Sequence, residues 1–119
     1  MGVLYWVITM GQVKIKLPKA ATCARHGLSL NDFRNQLKVQ GGVCGICHKV
    51  PPSGKLMIDH EHVAGWKKLS LLQRRRYVRG LLCSFCNRNV ARRTMTLRKT
   101  EQLLQYLYNY EGKSKRNTT

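Results

Sequence analysis

The sequence predicts a small α+β domain, and three observations support this fold class. In residues 55–59, Leu56 and Ile58 would lie on one face and Met57 on the other, which fits a short strand. Residues 29–39 and 100–110 instead repeat apolar residues at helical spacing. Two Cys-x-x-Cys pairs flank the central strands. A chain of 119 residues buries only a modest core, so a metal or a partner chain often adds the missing stability.

Residues 1–26 are predicted to form an N-terminal strand region followed by a linker. The apolar residues 3–10 predict a strand that turns through Gly11-Gln12 into a second strand over residues 13–17. Residues 18–27 are small and basic, which favours a linker. The apolar run is too short to cross a bilayer and lacks the features of a signal peptide. We therefore expect an intracellular protein with no membrane contact.

The main domain is predicted to cover residues 27–110. Ser29 is the expected N-cap of its first helix, Asp32 completes a capping box, and Gly41-Gly42 ends the helix. Residues 55–59 and 77–82 predict two strands, and a further helix is expected to begin near residue 86. The last predicted helix carries Leu103, Leu104 and Leu107. This stripe could pair two chains, but we expect it to pack on the core. Residues 111–119 are predicted to be a disordered basic tail.

The charge of the chain indicates a nucleic-acid partner. Lys and Arg number 22 against 5 acidic residues, for a formal net charge of +17. Such self-repulsion opposes a compact monomer unless a polyanion screens it. Charge alone favours a protein that coats nucleic acid without chemistry. The arginines after the central motif could lie in a solvated loop, but we favour an arm that contacts DNA phosphates. The candidate DNA-binding residues are Arg74, Arg75, Arg76, Arg79, Arg88, Arg92 and Arg93.

Four cysteines predict a structural zinc site. Cys44 and Cys47 form one pair, Cys83 and Cys86 form the other, and the spacing within each pair lets both sulfurs face one ion. Four thiolates would leave no open position for water, so this Zn2+ would be structural. Unrelated pairs or two disulfides are the alternatives, and a reducing compartment disfavours disulfides. The remaining cysteine, Cys23, precedes His26 but has no second pair, so we expect a lone thiol.

Between the cysteine pairs lies the motif Asp59-His60-Glu61-His62. It contains two of the chain's five acidic residues and two of its four histidines. Carboxylate oxygens suit Mg2+, and an imidazole can take a proton from water near neutral pH. A straight strand would direct Asp59 and His60 to opposite faces, so the strand is predicted to bend or end at Asp59. From these residues alone, a surface patch or a second zinc site competes equally with an active site.

The segments around these motifs resemble the recombination endonuclease VII family of the HNH, or ββα-metal, nuclease superfamily. The similarity covers residues 27–110. Residues 65–77 are longer and more basic than the same stretch in many relatives. The segments that carry the resemblance are residues 27–30, 40–47, 58–62 and 78–87.

The resemblance implies a strand hairpin and a following helix around one catalytic Mg2+ or Mn2+. Asp59 and Asn87 match the family's metal-holding positions, and His60 matches its general base. His62 matches a second histidine that contacts metal or phosphate. The implied activity is hydrolysis of phosphodiester bonds in DNA, including the nicking of one strand. A zinc-stabilised DNA-binding module without catalysis is the alternative, and an RNA-directed nuclease of the same fold is a third hypothesis.

The resemblance also sets expectations about partners and location. The expected substrate is duplex or branched DNA, and the chain is expected to act as a monomer or a homodimer. Packaging or recombination proteins of a bacteriophage are expected as further partners. The expected location is the cytoplasm of a cell that hosts a phage or a mobile element.

Overall fold

The computed structural model describes residues 5–7, 14–92 and 95–117, and their mixture of strands and helices confirms the α+β class. A 3-10 turn spans Trp66–Lys68 and a π-helical turn spans Cys86–Val90. The strands are β1 (Tyr5–Val7), β2 (Lys14–Lys16), β3 (Met57–His60) and β4 (Val78–Leu82). The α-helices are α1 (Ala20–Ala24), α2 (Leu30–Gln40), α3 (Leu71–Arg75) and α4 (Leu97–Asn117).

The strands form two antiparallel pairs. β1 pairs with β2, which confirms the N-terminal strand pair over shorter bounds, although the predicted Gly11-Gln12 turn lies outside the described residues. β3 pairs with β4, and its register shifts between Asp59 and His60. Asp59 lies opposite Gly80 and His60 opposite Val78, so the extra residue of the bulge is Arg79. The predicted irregularity at Asp59 is therefore present, and it arises from β4.

The cap of helix α2 is confirmed in atomic detail. The Asp32 backbone N–H donates to the Ser29 hydroxyl at 3.0 Å, and the Ser29 N–H donates to the Asp32 carboxylate at 2.8 Å. The helix ends at Gly41, whose φ of 67° is in the left-handed region that glycine adopts without strain. Phe33 and Leu37 are both fully buried on the core-facing side of the helix. The helix thus leads directly into the first cysteine pair.

A glutamine joins α2 to the central strand pair. The Gln40 side-chain oxygen accepts the Leu81 N–H at 2.9 Å, while its amide donates to the Leu81 and Val43 carbonyls at 2.9 Å. These bonds satisfy the backbone at the edge of β4 and fix the helix beside the strand. The buried core that results consists of Ile15, Leu17, Cys23, Phe33, Leu37, Cys44, Leu56, Leu81, Leu82 and Cys86.

The predicted linker over residues 18–27 contains helix α1, so that prediction was wrong. Cys23 is fully buried in the core, and burial of this side chain holds the short helix in place. Gly27 ends the segment with φ +73°, and a Cβ there would lie 2.0 Å from the Leu71 carbonyl oxygen. Only glycine fits this approach between the α1 region and α3.

The basic insertion over residues 65–77 is folded. It contains the 3-10 turn and helix α3. Ser70 caps α3 in a second capping box, in which the Gln73 N–H donates to the Ser70 hydroxyl at 3.2 Å. The Gln73 side chain accepts the Ser70 N–H at 2.9 Å. These bonds explain why a polar, basic stretch forms helix here.

Helix α4 differs from the prediction in length and in packing. It continues to Asn117, so the described part of the predicted disordered tail is helical, while residues 118–119 lie outside the described part. Lys and Arg are good helix formers, and basic residues near a helix C-terminus suit its dipole. Leu103, Leu104 and Leu107 remain about half exposed, because side chains from earlier elements fill the core. The predicted core packing of this stripe was therefore wrong.

Among the described helices, none has the length and apolar character that a membrane span requires.

Candidate metal and catalytic site

The four predicted cysteine ligands come together in one cluster. Cys44 and Cys47 lie in the loop after α2, and Cys83 and Cys86 lie at the end of β4. All four Sγ atoms are within 4.8 Å of one another. The Sγ atoms of Cys47 and Cys83 are 3.9 Å apart, well beyond a disulfide bond length of about 2 Å. A cluster with this donor set and size could hold one tetrahedral zinc ion.

The thiols of the cluster have opposed acidities. Burial raises the pKa of the Cys44 thiol, but backbone hydrogen bonds, including one from the Ile46 N–H at 3.4 Å, outweigh burial and lower the pKa to about 6. Burial and the neighbouring thiols raise the pKa of Cys86 to about 12. Cys44 therefore favours the thiolate, whereas Cys86 resists ionisation unless a cation compensates the charge. Cys23 lies outside the cluster, and burial raises its pKa, as expected for a lone thiol.

Asp59 faces a cavity beside the first cysteine pair. Its side chain is 7% exposed and accepts two hydrogen bonds from Arg79, from Nε at 2.7 Å and from Nη2 at 3.0 Å. This pairing raises the pKa of Arg79. The cavity has a volume of about 420 Å3, and Gln36 and Gln40 also line it. The bulge at Arg79 thus directs a buried carboxylate and a guanidinium to the same place.

His60 has different neighbours although it is the next residue. Its imidazole stacks on Trp66 with ring centroids 3.9 Å apart and planes 6° from parallel. The His62 and His26 rings lie 4.9 Å and 5.5 Å away. Its Nδ1 is 3.0 Å from the Glu61 carbonyl oxygen. Because a carbonyl only accepts, Nδ1 donates in this bond, and in the neutral ring Nε2 carries the lone pair.

His26 belongs to this histidine cluster through the end of the α1 region. Its Nδ1 is 3.1 Å from the Thr22 carbonyl oxygen, and its ring is 6.0 Å from that of Trp66. Burial lowers the pKa of His26, and the nearby His60 adds to this effect. Sequence reasoning considered His26 only as a partner of Cys23, so its position beside His60 is a finding of the tertiary structure.

The other two predicted site residues lie nearby in the chain but in different surroundings. Asn87 follows Cys86 in the π-helical turn, and its N–H donates to the Cys83 carbonyl at 2.9 Å. Its half-buried side chain has no hydrogen bond to a described residue, and Asn87 does not line the cavity of Asp59. His62 is exposed and borders a cleft with Trp66 and a second cleft with Arg79 and Arg92.

Several of the predicted DNA-binding arginines hold parts of the chain together. Arg74 donates to the carbonyls of Arg25, Trp66 and Lys67. Arg75 pairs with Asp32, and this guanidinium, followed by the Ser29 N–H, holds the pKa of Asp32 well below its usual range. These contacts favour structural roles for Arg74 and Arg75.

The remaining arginines of the predicted set are more open. Arg76 is exposed at the end of α3, and Arg88 contacts the Ser84 hydroxyl at 2.7 Å. Arg92 lines the cleft that His62 and Arg79 share. Arg93 lies outside the described residues. Arg76, Arg88 and Arg92 are therefore the described arginines that best fit a DNA-facing surface.

Trp66 is the site residue that sequence reasoning missed. It lies outside the buried core and covers His60. Its position four residues after His62, inside the basic insertion, was the available signal. That signal was weak, because nothing in the local pattern says which way the insertion folds.

Comparisons with known proteins agree with the motifs. The family model of recombination endonuclease VII matches residues 20–110. The Gene 59 protein of Mycobacterium phage D29 is 32% identical over 68 residues, and that of Mycobacterium phage L5 is 33% identical over 66 residues. These alignments cover 56% and 55% of this chain and 34% of each relative.

The chain thus spans about a third of the length of these relatives, and no solved structure matches it. The family match has a firmer basis, because it includes the cysteine cluster, the Asp59-His60 pair and Asn87, and it extends over most of the sequence. On this ground the chain belongs to the recombination endonuclease VII family.

Proposed function

We propose that this chain is a metal-dependent DNA endonuclease of the HNH type. The observation that carries the proposal is the bulge at Arg79. It leaves a buried carboxylate, Asp59, and an oriented imidazole, His60, at the last two positions of β3. A protein that only coats DNA has no need for this pair. Family membership supports the same chemistry.

His60 is the proposed general base. The bond from Nδ1 to the Glu61 carbonyl leaves Nε2 to accept a proton from the attacking water. The ring is half-buried beside an open cleft, so a phosphate and a water molecule could reach it. His62 borders the same cleft and is proposed to contact the metal or the phosphate. General-base action of this kind contributes roughly 100- to 10,000-fold to rate.

Asp59 and Asn87 are the proposed ligands of Mg2+ or Mn2+. A buried carboxylate and a side-chain amide with no described hydrogen bond are oxygen donors of the type that these ions prefer. When bound, the ion would polarise the phosphoryl oxygen and stabilise the leaving oxyanion. Arg79 donates one hydrogen bond to each carboxylate oxygen in the structure, so each oxygen keeps a second lone pair that could face the ion.

DNA is the proposed substrate, and its phosphates are the proposed source of affinity. The net charge of +17 and the open arginines at positions 76, 88 and 92 support this. Binding should therefore weaken steeply as salt rises. The phage relatives support a role inside a phage-infected host cell. Packaging or recombination proteins of a phage are the proposed partners. The zinc would brace the strand pair without taking part in hydrolysis.

One observation favours the alternative of a DNA-binding module without catalysis. Asp59 and Arg79 form a closed, two-bond ion pair, which is also what a purely structural pair would look like. In that case the chain would bind DNA through its basic surface, and Asp59 would serve only to place β4 against β3.

A plasmid-nicking assay with Mg2+ or Mn2+ separates these functions. We would compare the wild type with His60→Asn and with the matched control His48→Asn. His48 is exposed and has φ 59°, which asparagine tolerates. We expect His60→Asn to lose at least about 100-fold in nicking while keeping zinc and DNA binding, and His48→Asn to remain active.

If the wild type binds DNA but does not nick it with either ion, the binding module is correct. Equal nicking by the wild type and His60→Asn would remove His60 from the mechanism. The same assay on linear duplex, branched DNA and RNA identifies the substrate class. Sedimentation of the wild type with and without DNA distinguishes a monomer from a homodimer.

A further inference from the structure

The basic insertion places a tryptophan against the proposed general base. His60 and Trp66 stack almost parallel at 3.9 Å between ring centroids. Trp66 opens the 3-10 turn and is half-buried, but it does not belong to the hydrophobic core. An aromatic side chain in a surface turn that packs on one imidazole fixes the plane of that ring.

Arg74 holds the turn that carries Trp66. Its guanidinium donates to the Trp66 carbonyl from Nε at 3.3 Å and to the Lys67 carbonyl from Nη2 at 3.0 Å. A third bond, from Nη1 to the Arg25 carbonyl at 3.0 Å, ties the turn to the end of the α1 region. The same guanidinium lies 5.4 Å from the Trp66 ring centroid, within cation–π distance. Arg74 therefore contacts both the backbone and the ring of Trp66.

The contacts of His60 with Glu61 and with Trp66 constrain different features of the imidazole. The hydrogen bond from Nδ1 to the Glu61 carbonyl fixes which nitrogen carries the proton, and the indole fixes the ring plane. His60 is the last residue of β3, so the strand itself constrains its side chain little. Without the indole, the imidazole could rotate away from a phosphate, and misplacement by about 1 Å can cost 100-fold in rate.

We propose that Trp66 is a positioning residue that holds the His60 imidazole in its reactive orientation, with Arg74 as the support of Trp66. This inference rests on the proposed function of His60 as general base. It gives the insertion a role different from an arm along DNA: the insertion folds back to cover one face of the catalytic histidine.

The test compares Trp66→Leu, which keeps apolar bulk, with Trp66→Phe, which keeps a flat aromatic face. In the zinc-loaded protein we expect Trp66→Leu to lower kcat for nicking about 10- to 100-fold with little change in KM or in DNA affinity. Trp66→Phe should recover most of kcat. Arg74→Lys, which lacks the planar fork of donors, should give an intermediate loss.

A structural readout accompanies the kinetics. In the zinc-loaded protein without Mg2+ or DNA, the ring current of Trp66 should shift the His60 ring protons upfield in NMR spectra. Trp66→Leu should abolish that shift and Trp66→Phe should keep part of it. His60→Asn identifies the signals, and thermal melts confirm that each variant folds.

The outcomes separate this inference from the proposed function. An inert wild type would overturn both. Active wild type, inert His60→Asn and a normal kcat for Trp66→Leu would overturn only the positioning role. A rise in KM or in the DNA dissociation constant at unchanged kcat would instead make Trp66 a DNA contact, which also contradicts the inference.

Discussion

The cysteine cluster and the Asp59-His60 pair both lie beside or within the β3–β4 strand pair, but they are assembled in different ways. The cluster takes two ligands from each of two loops, and each pair has the same spacing. Asp59 and His60 are adjacent but face different surroundings, with Arg79 beside Asp59 and Trp66 beside His60. The cluster repeats one local motif, whereas the orientations of the Asp59 and His60 side chains depend on partners from other segments.

This difference predicts two kinds of failure. Loss of a cysteine of the cluster removes a proposed zinc ligand beside the core, so the chain should no longer fold. Loss of Asp59 or His60 leaves the strands, the helices and the zinc ligands in place, so chemistry should fail first.

Cys44→Ser should abolish cooperative folding. Binding of structural zinc contributes roughly 10–16 kcal/mol in zinc-finger peptides, and Cys44 is buried in both the cluster and the core. The measurements are zinc content and a thermal melt followed by circular dichroism. Cys23→Ala is the matched control, because Cys23 is equally buried but lies outside the cluster. It should keep one zinc and a cooperative melt. A normal melt for Cys44→Ser would contradict a structural zinc.

Asp59→Asn should reduce nicking by about 100-fold or more, because metal assistance supplies several kcal/mol to the transition state. The fold should persist, since asparagine can still accept a bond from Arg79. The measurement is the single-turnover nicking rate at saturating Mg2+, together with a thermal melt. Asp32→Asn is the matched control, since Asp32 forms the other carboxylate–arginine pair. Equal rates for the two variants would exclude Asp59 from catalysis.

Ser29→Ala should destabilise the fold by about 1 kcal/mol, because it removes one bond of the α2 capping box. Helix α2 leads into the first cysteine pair, so the change tests how far the cluster depends on that helix. Denaturant unfolding of the zinc-loaded protein gives the free energy. Ser70→Ala makes the same change in the shorter helix α3. A larger loss at Ser70 would show that the insertion, rather than α2, dominates stability.

His26→Gln should make stability less dependent on pH as the pH falls from about 7 through the lowered pKa of this residue. Burial lowers the pKa of folded His26 below its ordinary value of about 6.5. The stability linked to this group is therefore present above the ordinary pKa and is lost as the pH falls through the lowered pKa. The effect should be smaller than that of Ser29→Ala. Melting temperatures across this pH range provide the measurement, and parallel profiles for wild type and variant would contradict the burial effect.

The Asp59-His60 region has one feature that the sequence of a single segment cannot predict. The alternation of residues 55–59 predicts a strand, and the need to aim two adjacent side chains predicts a bend. The structure confirms both, but the extra residue of the bulge is Arg79 of the opposite strand. A pattern within one segment cannot identify that residue, because register is a property of two paired strands.

Helices α1 and α4 show a related limit. Residues 18–27 have few apolar side chains, and the sequence offers no reason for Cys23 to be buried. Its burial depends on Phe33 and Leu37, which arrive from α2. In the same way, the exposed stripe of α4 has a regular helical period, yet period alone does not say whether the apolar face finds a core.

Residue spacing alone was enough to predict the α+β class, the two cysteine pairs, the cap of α2 and the family. Each of these depends on spacing within a short segment, which local geometry translates directly into structure. Three contacts are visible only in the folded chain. Arg79 pairs with Asp59, Arg74 supports the insertion, and Trp66 covers His60. Those contacts join residues that are distant in the chain or set by the fold of a loop, so their energy appears only once the core has brought the segments together.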